Sequence, residues 1–93
     1  MRESVIEDYL VREVTKLGGI AYKFQSPRRR SVPDRIVALP GRLFFVEVKA
    51  TGERPTLAQL REHTRLQMLG LTVYVCDSLS SVDVILQVQM GEI

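Results

Sequence analysis

Glu47 and Lys49 stand two residues apart at the end of Leu43-Phe44-Phe45-Val46-Glu47-Val48-Lys49, an almost continuous apolar run. In a strand of period two, both side chains fall on one face. A central strand built of Leu, Phe and Val has little reason to finish in an acid and a base, because burying a charge costs several kcal/mol unless it is paired or bound to a metal. At a solvent-exposed strand end the two would form a surface ion pair worth ~0–1 kcal/mol. Facing inward, Glu47 could hold a divalent cation and Lys49 the attacking water or the charge building on a phosphate. Asp34 favours the second reading. It opens the preceding strand, and an antiparallel return would lay it beside Glu47 and Lys49, with Pro33 fixing its approach. Two carboxylates completed by water and phosphate oxygens are the hard donor set that magnesium or manganese prefers.

Composition narrows the alternatives. One histidine and one cysteine in 93 residues exclude Cys/His zinc sites and leave the usual Ser-His or Cys-His nucleophile pairs without support, so catalysis must run on carboxylates, lysine or hydroxyls. The net charge of +2 is mild, but Arg28, Arg29, Arg30 and Arg35 crowd into eight positions opposed only by Asp34. Alone, such a run reads as a solvated loop. His63 reads as a surface or interface residue, Cys76 as buried packing, and Tyr22 and Tyr74 as strand or core residues. No apolar run approaches ~18 residues and Met1-Arg2-Glu3-Ser4 is no signal core, so neither a membrane span nor secretion is expected, and the cytoplasm is the default.

The elements that must position these residues follow from spacing. Val5, Ile6, Tyr9, Leu10, Val14 and Leu17 predict a helix over 3–17, stopped by Gly18-Gly19. Strands are expected over 20–25, 34–39 and 43–49, the last two joined by a tight Pro40-Gly41 turn. Thr56 and Gln59 have the spacing of a capping box and open a helix to about Leu69. Its expected core face is Leu57, Leu60, Thr64 and Met68, with Leu66 and Leu69 widening that face or meeting another subunit. A strand over 72–76 and a helix over 79–88, capped by Asp77 or Ser78, complete the order α-β-β-β-α-β-α. With no repeat or linker, residues 1–93 read as one α/β domain. A chain this short buries only a little over ~60% of its unfolded surface, so a partner subunit would help it.

Taken together, Pro33-Asp34, twelve residues, then Glu47-Val48-Lys49, between an acidic first helix and a Gln-bearing second one, resembles the PD-(D/E)xK nuclease superfamily. Within it the chain is similar to the VRR-NUC family, the virus-type replication-repair nucleases, in their short stand-alone phage or bacterial form. A first-helix glutamate, Gly18-Gly19, Lys23, Pro33-Asp34-Arg35, Phe45 to Lys49, Gln59 and Leu69-Gly70 ahead of Val73-Tyr74-Val75 carry the likeness across nearly the whole chain. The resemblance implies a restriction-endonuclease-like fold with a central mixed sheet flanked by helices. It implies Asp34, Glu47 and the Val48 carbonyl as ligands of Mg2+ or Mn2+, Lys49 as the catalytic lysine, and Gln59 near the catalytic centre. The first-helix acid stays open. Glu3 fits the spacing to Gly18-Gly19 usual in this family, and Glu7, one turn on, fits archaeal junction resolvases.

In this light the arginine run lies where a scissile phosphate must approach. Arg28, Arg29 and Arg30, with Lys23 and Arg35 as further candidates, would make backbone contacts without sequence readout. Arg54 and Arg61 are weaker candidates. The resemblance implies a DNA endonuclease resolving Holliday (four-way) junctions as a homodimer in the cytoplasm of a bacterium or phage-infected host, since a two-fold dimer presents two equivalent sites to a junction that needs paired cuts. A flap or nicking endonuclease is the alternative within the class. A DNA-binding module with a decayed site is the alternative outside it, and the intact Asp34, Glu47 and Lys49 argue against that.

Overall fold

A computed structural model describes residues 1–92. Helix α1 (Glu3–Lys16) leads into β1 (Ile20–Lys23), β2 (Arg35–Leu39), β3 (Arg42–Val48), α2 (Leu57–Met68), β4 (Val73–Cys76) and α3 (Leu79–Gln89). This is the expected order, and the expected mixed sheet. The four strands lie in the order β1-β2-β3-β4. The first two pairings are antiparallel and β3–β4 is parallel. Element ends differ slightly from expectation: β1 stops at Lys23 rather than Gln25, β2 begins at Arg35 rather than Asp34, and β3 ends at Val48 rather than Lys49.

Residue choice explains the local geometry. Leu39 pairs with Arg42 across Pro40-Gly41, and Gly41 has φ +73, a left-handed conformation that costs a residue without Cβ least. Gly19 answers a different need. A Cβ there would run into the Ala38 carbonyl and the Leu39 side chain, so only glycine lets the α1–β1 corner close on β2. Thr56 and Gln59 form the expected capping box, and Ser78 with Ser81 forms another at α3.

One sheet face carries the core. Ile6, Leu10 and Val14 of α1 and Val82, Ile85 and Leu86 of α3 pack against Ala21, Val37, Leu39, Phe44, Val46, Val48 and Cys76. Tyr74 meets the Phe44 ring edge-on. Cys76 is buried packing as expected, its thiol pushed by desolvation up to about 12.

Helix α2 makes the crossover between parallel β3 and β4, as a parallel pair requires, and lies on the opposite face. Here one expectation fails. Leu57, Leu60 and Met68, expected in the core, are exposed, as is Leu69, while the buried residues of α2 are Glu62 and His63. The reason is what α2 faces: the alternate residues of β3 on this side include Glu47, and a helix over a buried carboxylate must turn polar side chains towards it.

Candidate active site

The β2–β3 hairpin assembles the centre. Arg35 pairs with Val46, so the next pair in register sets Asp34 beside Glu47, and Pro33 beside Val48. Asp34 Oδ2 accepts the Val48 N–H at 2.7 Å, which fixes its carboxylate at the strand end. Proline has no N–H to offer the Val48 carbonyl that lies opposite it in this register. The Lys49 N–H donates to the Cys76 carbonyl at 2.8 Å, tying the end of β3 to β4. Its side chain comes back to the acid, with Nζ 4.0 Å from Glu47 Oε2.

Glu47 is 1% exposed and is held from α2 as well. Gln59 Nε2 donates to Oε2 at 3.4 Å, and His63 Nε2 lies 3.2 Å from Oε1. The capping box pins the Gln59 amide, because its Oε1 accepts the Thr56 N–H at 2.8 Å. Burial, then the adjoining Asp34 carboxyl, push the Glu47 pKa up to about 8, with Lys49 pulling the other way. Desolvation lowers the His63 pKa, so the ring that meets Glu47 at neutral pH is the uncharged imidazole.

This donor set fits a divalent cation. Two adjacent carboxylates, one kept partly protonated by burial and by its neighbour, with a carbonyl alongside, are hard oxygen ligands whose repulsion a cation relieves. Among the described residues no group of three or more His, Cys, Asp and Glu side chains could hold an ion by itself, so water and phosphate oxygens would complete the shell.

The two first-helix acids have different surroundings. Glu3 sits in the field of the centre: its pKa is raised by desolvation and then by Asp34, with Lys49 opposing. Glu7 is clamped by Arg35 Nε at 2.7 Å and Lys23 Nζ at 3.1 Å. Arg35 also donates to the Ala21 carbonyl at 3.0 Å, so this half-buried guanidinium is spent on α1 and β1 rather than presented to solvent. In the basic loop, Arg29 reaches Glu62 Oε1 at 3.5 Å and its N–H meets Ser26 Oγ at 3.3 Å. Ser31 takes φ +67, a strained conformation for a residue with a Cβ. Arg28 and Arg30 are exposed and make no ion pair among the described residues.

His63 corrects a sequence expectation: it is not a surface or interface residue but is 4% exposed and touches Glu47. Glu62, which anchors Arg29, is a further residue of this face that apolar patterning does not find. The signal was present, since Glu62 and His63 follow Gln59 at i+3 and i+4 and so share its helix face.

No protein-family model matches the sequence. The chain is 65% identical over 79 residues to a protein of Acyrthosiphon pisum secondary endosymbiont phage 1 described as "Putative nuclease p44", covering 84% of this chain and 85% of that one. A solved structure described as "VRR_NUC domain" superposes with a TM-score of 0.86 at 34% identity, covering 91% of this chain and 94% of that one.

Proposed function

The chain belongs to the VRR-NUC family of nucleases, and we propose that within it this protein is a divalent-metal-dependent, structure-specific DNA endonuclease that cuts four-way junctions as a homodimer. The observation that carries the reading is the convergence of Asp34, Glu47 and Lys49 at one end of the β2–β3 hairpin, with Glu47 buried and the exposed Arg28 and Arg30 on the loop entering it.

In this reading Asp34 and Glu47, with the Val48 carbonyl, hold Mg2+ or Mn2+. The bound cation would polarise the scissile phosphate and lower the pKa of an attacking water. Lys49 offsets negative charge as it grows on the phosphate, from a side chain kept in place by the tether of its own N–H to Cys76. Glu3 is the first-helix acid that the field around the centre favours, while Glu7 braces Arg35 and Lys23. Gln59 orients Glu47. Arg28 and Arg30 grip the DNA backbone, so affinity falls with salt. Exposed Leu57, Leu60 and Met68 on α2 and Leu69 at its C-terminal cap, with Val84 and Val88 on α3, supply the apolar surface for a second copy.

Cleavage assays with Mg2+ or Mn2+ on a four-way junction, a flap and a plain duplex test the reading, alongside light scattering for subunit number. Lys49→Ala should lower cleavage by about 10²–10³-fold with junction binding retained. Unchanged cleavage would remove the catalytic assignment, and cutting of the flap alone would remove the junction preference.

A further inference from the structure

Helix α2 leaves Leu57, Leu60, Met68 and Leu69 in solvent while burying an imidazole. That imidazole has a specific contact: His63 Nε2 meets Glu47 Oε1, whereas Gln59 and Lys49 both address Oε2. The two carboxylate oxygens are thus held by different groups, and the pair Gln59 and His63, one helical turn apart, grips both. A glutamate has three side-chain torsions, so a carboxylate left free on one side would sample orientations that a cation with strict ligand geometry rejects. Groups that hydrogen-bond a ligating carboxylate typically change metal affinity by about 10–100-fold when removed.

We propose that His63 is a positioning residue for the metal centre: by holding Glu47 Oε1 it presents Oε2, the oxygen that Lys49 and Gln59 face, to the divalent cation. This rests on the reading of Asp34 and Glu47 as metal ligands. Its own content is that cation affinity is set in part from α2, by a residue that touches neither cation nor DNA.

Calorimetric titration with Mn2+ separates the two. If the wild-type protein binds no Mn2+, or binds it as well after Asp34→Ala, the metal reading itself fails. If wild type binds and Asp34→Ala does not, His63→Leu should weaken Mn2+ binding by about tenfold or more. His63→Gln, which keeps a hydrogen-bonding group at similar reach, should recover most of the loss, and the KM for DNA at saturating metal should stay unchanged. Equal Mn2+ affinity in wild type and His63→Leu overturns the proposal. A measurement without substitution guards against a variant that fails to fold. His63 is the chain's one histidine, so its ring nitrogen resonances need no assignment; they should shift on titration with diamagnetic Mg2+ along the binding isotherm. Ring signals that stay fixed at saturating Mg2+ overturn the proposal as well.

Discussion

The two faces of the sheet obey opposite rules. Under α1 and α3, Phe44, Val46 and Val48 point into an apolar core with Ile6, Leu10, Val14, Val82, Ile85 and Leu86. On the α2 side, Phe45 meets the tilted Phe24 ring at 5.6 Å between ring centroids, and then Glu47 meets Gln59 and His63. Alternation along one strand serves both, since Phe44, Val46 and Val48 secure the fold while Glu47 between them faces the candidate site. The apolar core and the candidate site are therefore divided between the sides of a single sheet, and a substitution should report which side it falls on.

The largest expected effect tests the core side. Phe44→Ala removes a 1% exposed ring and should cost about 3–5 kcal/mol, read as a lower urea midpoint. A loss below about 1 kcal/mol would mean that the face under α1 and α3 is not where stability resides. The next test crosses to the α2 face through pH. Between about 4.5 and 8 the unfolded chain has released the Glu47 proton and the folded one has kept it. The folded state binds the extra proton, so in metal-free solution the Glu47 contribution is complete below about 4.5 and is lost as pH rises towards 8. His63, with its lowered pKa, acts in the reverse direction below about 6.5, where its contribution is lost as pH falls, so the part of the window above 6.5 reports the acid. Glu47→Gln should gain stability relative to wild type as pH climbs through that window, and parallel pH profiles would contradict the polar reading of this face. The smallest effect concerns the outside of α2. Leu60→Gln, at a position 47% exposed, should change the stability of the monomer by no more than about 0.5 kcal/mol, as followed in dilute thermal unfolding. A larger loss would show Leu60 to be core after all.

The same division explains what could be read from the residues alone. Strand alternation and a two-residue turn bring Asp34, Glu47 and Lys49 together, and both rules are local, so the centre was legible. Capping chemistry was legible at Thr56 and Gln59 for the same reason. The orientation of α2 was not. Assigning its buried face by apolarity assumes that a helix meets hydrocarbon, and this one meets Glu47, so Leu57, Leu60 and Met68 went to the wrong side and His63 with them. Arg35 shows a related limit: its charge suggested phosphate, but its partner Glu7 is 28 positions away in the chain, and only the packing of α1 on β1 and β2 brings the two together.

The hairpin turn at Pro40-Gly41 also bears on the order in which the protein is made. Every group proposed to touch or orient the cation, apart from Glu3, lies in the stretch from Pro33 to His63, and Asp34 meets Glu47 through a two-residue reversal. Short loops close at little entropic cost and early. The strand ends that carry the two carboxylates are therefore expected to pair while α1 and α3 are still unpacked, so that the hairpin can serve as the seed on which the rest of the chain condenses.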